Sequence, residues 1–352
     1  MKKVLILFGS KSSEHEVSCI SAYNILKAID HSKYHVTTVG IDKKGYWFEY
    51  FGDIALINQC KWLQDTQYIR KITDVFRYLK GFDVVFPVLH GKYGEDGTIQ
   101  GILEFVQVPY VGCGVLASSI AMDKTMCKKI LNNEHIPVVD YVTIQRANWL
   151  SLEANKEELD LYIERLKEKL NFPMFVKPNS EGSSYGISKV ENEEELLVAI
   201  KLAFSFDDSV LIEKFIEKKQ EIECAVIQKR NEILVATPGE IVVNNDIYTY
   251  QEKYIHTSSY SRIPAHITSE QNKTICEYAK KIFKILQLTS LARIDFFVSG
   301  DDIYFNEVNT MPGFTPISMF PKMLMHDEYS YHKIIEILIE EAINKENWLL
   351  KQ

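Results

Sequence analysis

Apolar and polar positions near the start of the chain follow the order strand, loop, helix. Residues 4–8 are all apolar, as in a buried parallel strand, residues 9–13 are small or polar, and residues 16–29 carry apolar side chains at helical spacing. The segments 35–41 and 83–89 predict further strands. We therefore predict an α/β domain whose loops gather at the carboxyl ends of its strands, where ligands bind in such sheets.

The pattern changes near residue 120 and again near residue 211. The middle part opens with a predicted helix over 122–132 and carries an acidic and basic helix over 156–170, as in a small α+β unit. The last part begins with an apolar strand and contains a long polar stretch. We predict three domains with the bounds 1–120, 121–211 and 212–352.

Polar side chains at alternate positions mark a hairpin in the last domain. Arg293 and Asp295 share one face of a strand, 299–302 is a turn, and Glu307 and Asn309 share a face of the return strand. Counting back through the turn brings Glu307 roughly opposite Asp295. Two carboxylates and an amide oxygen at this spacing suit two Mg²⁺ ions that bridge phosphates, with Mn²⁺ as an alternative. The apolar flanks argue against a merely solvated hairpin.

A loop of small residues follows a buried-looking strand in the middle domain. Lys177 ends that strand, and 181–186 is rich in glycine and serine. Backbone N–H groups of such a loop can close on phosphate oxygens, and a lysine supplies the point charge. The loop is not a Walker motif, because no Gly-Lys-Ser/Thr follows its glycines. Taken alone, it is also typical of a plain turn.

Composition excludes several classes of partner. With 46% hydrophobic residues, 25% charged residues and a formal net charge of -8, the chain has no basic field for nucleic acid. The cysteines show no metal-ligand or disulfide spacing. No apolar run reaches the length of a membrane helix, and the early one stops at Gly9. We expect a cytoplasmic protein with reduced thiols and no membrane partner.

Two strings carry a family resemblance, and other segments follow in order. Residues 14–18 read Glu-His-Glu-Val-Ser, and 90–101 read HGKYGEDGTIQG. The further matching segments are 122–124, 176–178, 181–184, 212–216, 250–254, 293–295 and 306–315. Together they resemble the D-alanine–D-alanine ligases of the ATP-grasp superfamily over nearly the whole chain. The resemblance implies a three-domain ATP-grasp architecture with an N-terminal α/β domain, ATP and D-alanine as small-molecule partners, and a homodimer.

The resemblance implies nucleotide contacts between the second and third domains. The expected phosphate lysines are Lys124, Lys177 and, on a lid over about 240–262, Lys253. The expected adenine and ribose contacts are Glu213, Lys214, Phe215, Ile216 and Glu221. The expected Mg²⁺ ligands are Asp295, Glu307 and Asn309.

The resemblance also implies amino-acid contacts between the first and third domains. Glu16 would hold the ammonium group of the first substrate, and His90 would lie near its carboxylate. Ser183 and Tyr254 would link Glu16 to the lid. A structural latch is the alternative for the Ser183–Tyr254 pair, and a buried orienting histidine is the alternative for His90.

The implied reaction runs through an acylphosphate. The carboxylate of the first D-alanine attacks the γ-phosphate, because a free carboxylate is a poor electrophile, and the amine of the second D-alanine then displaces phosphate. Arg293 and the backbone N–H of Gly313 would stabilise the oxyanion. Ser318 and Met319 would meet the second carboxylate.

Several other readings stay open. D-Serine or D-lactate could be the second substrate, although Tyr254 and Met319 favour D-alanine. A non-catalytic nucleotide-binding regulator or a different ATP-grasp ligase are the remaining alternatives. Two segments, 218–220 and 316–317, depart from the usual family pattern, and the second leaves the choice of second substrate less constrained.

Overall fold

A computed structural model describes residues 1–182, 185–230, 232–242 and 260–349, the last five of these by their backbone alone. The described residues form three sheets. No helix within these ranges is both long enough and apolar enough to cross a membrane.

The first sheet contains the predicted N-terminal strand at an inner position. Its strands are β1 (Lys2–Gly9), β2 (Tyr34–Ile41), β3 (Trp47–Tyr50), β4 (Ile69–Lys71) and β5 (Val84–Val88). Their order is β4-β3-β2-β1-β5, and β1 is parallel to both β2 and β5, as predicted. Its helices are α1 (His15–Ala28), α2 (Ile54–Asn58), α3 (Val75–Leu79) and α4 (Thr98–Val106). The loops after β1 and β5 therefore leave the sheet at the same edge.

Two consecutive helices follow, α5 (Val115–Met122) and α6 (Lys124–Asn133). The helix predicted over 122–132 instead begins at Lys124, because Asp123 is its N-cap and accepts a hydrogen bond from the backbone N–H of Met126 at 2.8 Å. This cap separates the two helices and places Lys124 in the first turn of α6.

The second sheet is antiparallel and has its own core. Its strands are β6 (Tyr141–Gln145), β7 (Met174–Pro178), β8 (Ser188–Val190) and β9 (Ser209–Lys214), in the order β6-β9-β7-β8. Its helices are α7 (Arg146–Glu153), α8 (Lys156–Leu170) and α9 (Glu193–Phe204). The predicted bounds of α8 are confirmed. Buried side chains between Ile144 and Ile212 form one closed cluster here, so the unit packs largely on itself.

The third sheet holds the predicted hairpin. Its strands are β10 (Gln220–Lys229), β11 (Glu232–Val235), β12 (Gly239–Val242), β13 (Tyr260–Arg262), β14 (Leu291–Ser299) and β15 (Asp302–Asn309). Their order is β13-β12-β10-β14-β15, with β11 paired to β10. The helices of this part are α10 (Ser269–Ile285), α11 (Met319–His326) and α12 (Tyr331–Leu349).

The hydrophobic cores join the sheets unequally. One cluster contains side chains of both the first sheet and α11 and α12, and the rings of Phe86 and Phe314 meet edge to face at 5.8 Å within it. Another joins α5 and α6 to α10 and the third sheet. The expected domain boundary at 120 falls inside α5, and that at 211 falls inside β9. If the domains are to pack as separate units, their boundaries must lie at the ends of α5 and β9 and not within them.

Candidate active site

The polar residues of the hairpin lie in a row across neighbouring strands. Asp295 on β14 is paired with Glu307 on β15, as predicted, and Arg293 is paired with Asn309. The register shifts by one residue directly after Asp295. On the other side of β14, Glu223 of β10 is also paired with Asp295. Three carboxylates therefore stand side by side across β10, β14 and β15.

Arg293 is the cation that this row of acids surrounds. Its Nε and Nη2 donate to the two oxygens of Asp295, each at 2.8 Å, and Nε lies 3.1 Å from Glu223 Oε2. Asn309 Nδ2 donates to Asp295 Oδ2 at 3.0 Å. Burial disfavours the charged guanidinium, but Asp295 and Glu223 outweigh it and raise the pKa of Arg293. Arg293 is thus a permanently charged group fixed beside the predicted metal ligands.

The oxygen-rich side chains here fit a hard cation that shares its coordination sphere with phosphate. Among the described residues, no group of three or more His, Cys, Asp or Glu side chains is arranged to hold a metal ion by itself. Asp295 and Glu307 supply two opposed carboxylates, and Asn309 adds an amide. Mg²⁺ typically takes one or two carboxylates and completes its shell with water and phosphate oxygens. The donor set therefore suits a nucleotide-bound ion.

Two of the predicted phosphate lysines, Lys124 and Lys177, lie among the described residues. Lys124 Nζ donates to the backbone carbonyl of Glu181 at 2.7 Å and is 3.6 Å from Glu307 Oε2. Lys177 Nζ is paired with Glu213. Burial disfavours the charged form of Lys177, but Glu213 and then Glu307 outweigh it and raise its pKa. The structure thus places Lys124 beside the predicted metal ligands and Lys177 within electrostatic range of Glu307.

The predicted adenine segment lies where β9 leaves the second sheet. Glu213 is buried and Lys214 is exposed, and the Phe215 ring packs on that of Phe175 at 5.5 Å. Ile216 follows in the connection to β10. The Lys214 N–H donates to the Asp140 carbonyl at 3.0 Å and the Phe215 N–H to the Pro173 carbonyl at 3.3 Å, so the segment is anchored on both sides and presents an aromatic ring.

The unusual segment before Glu221 adds a cation to this site. Lys219 Nζ lies 3.2 Å from Glu221 Oε1 and 3.7 Å from the ring centre of Phe297. Burial lowers the pKa of Lys219, although Glu221 opposes this shift. The departure in 218–220 is therefore more than a longer turn, because it places an ammonium group beside the expected ribose contact.

The structure does not bring Glu16 to the cleft. Its carboxylate lies 2.5 Å from Lys43 Nζ, and its side chain is 44% exposed. Glu14, two residues earlier, is buried, and its Oε2 would lie only 2.9 Å from a Cβ added to Gly182. Positions two apart at the start of a helix point in different directions. Glu14 is therefore the acid of this motif that faces the glycine-rich loop.

His90 makes the contacts expected of a buried orienting histidine. Its Nδ1–H donates to the Met311 carbonyl at 2.8 Å, and Ser21 Oγ–H donates to its Nε2 at 3.0 Å. The Phe314 N–H in turn donates to Ser21 Oγ at 3.1 Å. Burial lowers the pKa of His90 to about 4, against the opposing Met311 hydrogen bond. A neutral, enclosed His90 therefore positions the loop that contains Gly313.

Glu95 holds the same loop through the backbone N–H of Met311, whereas His90 holds it through the Met311 carbonyl. Its Oε2 accepts from the Met311 N–H and its Oε1 from the Gly91 N–H, each at 2.9 Å. Burial and then the charge of Glu14 raise the pKa of Glu95 to about 7. His90 and Glu95 together fix both polar groups of Met311. We call His90, Glu95 and Met311 the loop clamp.

The predicted second-substrate residues separate in the structure. Ser318 Oγ accepts from the Thr315 N–H at 3.1 Å and would lie 2.5 Å from a Cβ added to Gly313. Met319 is only 3% exposed and belongs to the hydrophobic core, where a Cβ on Gly239 would collide with its Cε. Ser318 thus lies against Gly313, whereas the Met319 side chain is buried in the hydrophobic core.

Three predicted residues, Ser183, Lys253 and Tyr254, lie outside the described residues, as does most of the predicted lid. The lid's two ends are described, and they pair through β12 and β13, with Ile241 opposite Ser261.

Side chains that sequence reasoning missed share a signal, because each stands within a few residues of a predicted one. They are Glu14, Glu95, Lys128, Lys219 and Glu223. Glu223 could have been found from its spacing of two from Glu221, since both lie on one face of a strand.

Comparison with known proteins identifies the family. The family described as D-ala D-ala ligase N-terminus matches residues 3–113, and that described as D-ala D-ala ligase C-terminus matches residues 130–340. A D-alanine–D-alanine ligase of Caldicellulosiruptor bescii is 43% identical, covering 97% of this chain and 95% of the relative. One of Clostridium novyi is 42% identical, with coverages of 98% and 99%.

Solved structures agree with this relationship. The VanG D-Ala:D-Ser ligase from Enterococcus faecalis has a TM-score of 0.86 at 36% identity, covering 97% of this chain and 99% of that one. The D-alanine-D-alanine ligase from Coxiella burnetii has a TM-score of 0.85 at 31% identity, with coverages of 99% and 96%. The chain therefore belongs to the D-alanine–D-alanine ligase family of ATP-dependent ligases, with ATP-grasp architecture.

Proposed function

We propose that this enzyme joins two molecules of D-alanine, using ATP, to form D-alanyl-D-alanine for peptidoglycan precursors. The observation that carries the proposal is the convergence of Asp295, Glu307 and Asn309 beside Arg293, with Lys124 at the same carboxylates. Relatives that bear this name align over nearly the full chain. An acylphosphate of the first D-alanine is the intermediate, since it turns a poor electrophile into one with phosphate as leaving group.

We propose that two magnesium ions bind at the carboxylate row, which is formed by Glu223, Asp295 and Glu307. Manganese is an alternative to magnesium. Asp295, Glu307 and Asn309 would hold the ions. When bound, they neutralise charge on the transferred phosphoryl group. Lys124 and Lys177 would align the phosphates from the side of α6 and β7, so the chain supplies mainly positioning and charge.

For the first substrate, we assign the ammonium contact to Glu14 instead of Glu16. Glu14 is buried and faces the loop at 181–182, whereas Glu16 is occupied by Lys43 at the surface. We also propose for Ser183 and Tyr254 the link to the lid that the family resemblance implies. A closed lid would protect the acylphosphate from water.

For the acyl transfer, the chain would stabilise the oxyanion with the guanidinium of Arg293 and the N–H of Gly313. The loop clamp supports this role, because it fixes the peptide of Met311 two residues before Gly313. Ser318 would then meet the carboxylate of the second amino acid through its hydroxyl group.

D-Serine is the second candidate for the second substrate, because a structural neighbour is a D-Ala:D-Ser ligase. One added hydroxyl is poorly discriminated unless a site is built to reject it. The deciding experiment supplies ATP, Mg²⁺ and equal amounts of D-alanine, D-serine and D-lactate, and identifies products by mass spectrometry. We expect D-alanyl-D-alanine to dominate. A mixed dipeptide or a depsipeptide as main product would assign a different second substrate, and no ADP release would favour the regulator.

We also propose a cytoplasmic homodimer. The family resemblance supports the dimer, and the paired rings of Phe76 and Phe105, which are 50% and 79% exposed, offer an apolar surface. Sedimentation velocity should give twice the chain mass, and Phe105→Glu should shift it towards the monomer if these rings form the contact.

A further inference from the structure

Lys128 is a buried lysine that the proposed reaction does not use. It follows Lys124 by four residues on α6, so both project from one face of the helix. Its side chain is 1% exposed, and its Nζ lies 2.8 Å from Glu213 Oε1. The same Nζ lies 3.5 Å from the Phe305 carbonyl and 5.7 Å from the Phe305 ring centre. A buried ammonium group is costly unless it is paired, and these contacts pair it.

The carboxylate of Glu213 is divided between two lysines. Oε1 faces Lys128 in an ion-pair contact without hydrogen-bond alignment, and Oε2 is paired with Lys177. Burial disfavours the charged form of Glu213, but Lys128 and Lys177 outweigh it and lower its pKa to about 2. Burial lowers the pKa of Lys128, although Glu213 opposes this shift. Because the Lys128 Nζ lies 2.8 Å from Glu213 Oε1, we take the pair as charged, with Glu213 an anion between two cations.

The two lysines differ in what they can do. Lys177 stands at the end of β7, immediately before the loop that leads to the phosphate-binding residues, and Glu307 also acts on its charge. Lys128 is enclosed by α6, β9 and β15. If Lys177 turns towards a nucleotide, Glu213 loses one partner, and a buried carboxylate with no partner is strongly destabilising. Lys128 is the cation that stays.

We propose that Lys128 is a positioning residue for nucleotide binding: by holding the charge of Glu213, it releases Lys177 to contact the phosphates of ATP. The inference rests on the proposed ATP site. It assigns Lys128 no contact with the nucleotide. Its effect should therefore appear in the binding of phosphates and not in the binding of the nucleoside.

The test replaces Lys128 with an apolar side chain of similar length. In Lys128→Met, Lys177 becomes the single partner of Glu213 and is held away from the phosphates. Isothermal titration with ATP, ADP and adenosine, in the presence of Mg²⁺, should show Kd values for ATP and ADP raised about tenfold or more. The Kd for adenosine should change by less than about twofold. Lys129→Met, the same change at an exposed neighbouring position, should leave all three unchanged.

A second variant separates this mechanism from a general loss of structure. Lys128→Met/Glu213→Gln removes both charges, so nothing holds Lys177 and no buried carboxylate lacks a partner. Its ratio of adenosine Kd to ATP Kd should return towards the wild-type value, even if adenine contacts weaken. An unchanged ratio in Lys128→Met overturns the inference. If that variant does not fold, a double variant without phosphate preference overturns it instead.

The two proposals fail in different ways. A wild-type chain that binds no ATP would reject the proposed function. A wild-type chain that binds ATP and forms the dipeptide, combined with equal losses for ATP and adenosine in Lys128→Met, would reject only the role of Lys128.

Discussion

The two acids of the first motif, Glu14 and Glu16, lie in different surroundings. Glu16 meets Lys43 at the surface, whereas Glu14 is drawn inward against Gly91 and Gly182. An exposed ion pair of the Glu16 type contributes little to stability. A buried acid such as Glu14 is costly, and its position is therefore informative about function.

The first prediction compares Glu14→Gln with Glu16→Gln. Loss of a charged hydrogen bond to an ammonium group costs about 1.5–3 kcal/mol. We expect kcat/KM for the first D-alanine to fall about ten- to a hundredfold in Glu14→Gln. Glu16→Gln should stay within about twofold, since its partner is Lys43. Steady-state ADP release measures both, and the reverse order would return the role to Glu16.

The motif around these two acids was recognisable from sequence, but the choice between them was not. That choice depends on how α1 begins, because Glu14 is its N-cap residue and Glu16 lies in its first turn. The surroundings of Met319 were likewise not predictable from its motif. Its place in the motif suggested a substrate contact, but the packing of α11 turns its side chain into the core.

The second prediction concerns the metal ligands. In Asp295→Asn, one anionic oxygen is lost, so D-alanine-dependent ADP release should fall about a hundredfold or more. Binding of ATP should also depend less on Mg²⁺, which titration with and without EDTA can measure. Glu49→Gln, at a partly buried acid of β3, is the matched control. An unchanged rate of ADP release in Asp295→Asn would refute the metal assignment.

Among the elements, the hairpin of β14 and β15 and the loop after it show which features local pattern can predict. Alternation and a short turn are enough to place Asp295 opposite Glu307. The loop clamp joins residues more than 200 positions apart in sequence, such as His90 and Met311. No local pattern encodes such a contact, so its role emerged only from the fold.

The third prediction uses the pKa of His90. Because this pKa is lowered from 6.5 to about 4 in the folded protein, the neutral ring contributes stability that is fully present above about pH 6.5. That contribution is lost as the pH falls towards 4, since the unfolded chain binds the proton more tightly. His90→Gln lacks this titration, whereas Glu95 titrates in both proteins.

Chemical denaturation of both proteins between pH 4 and 7.5 provides the measurement. The stability advantage of the wild type over His90→Gln should shrink by up to about 3 kcal/mol on acidification. A constant difference across this range would show that His90 is not held neutral by its surroundings.

At the scale of the whole molecule, the second sheet has a core of its own, while the other two sheets share theirs with α11, α12, α5 and α6. The division into sheets follows from hydrophobic patterns that sequence reveals. The boundaries between the domains do not follow from these patterns, because β9 pairs with β6 and β7 although it immediately precedes the third sheet.

The fourth prediction follows from a nucleotide that would contact both the second and third sheets. At a concentration of one hundred times its Kd, MgATP should add about 2.7 kcal/mol of stability. We expect the melting temperature to rise by several degrees, and EDTA to remove most of this rise. An equal rise with EDTA would mean that ATP binds without the carboxylate row.

The bidentate pairing of Arg293 with Asp295 has a consequence for the order in which ligands arrive. Arg293 already donates to both oxygens of Asp295, so we expect free Mg²⁺ to gain little from this carboxylate. A nucleotide brings the ion together with the phosphate oxygens that complete its shell and that attract the guanidinium in turn. We therefore expect Mg²⁺ to bind this site together with the nucleotide in preference to the free ion.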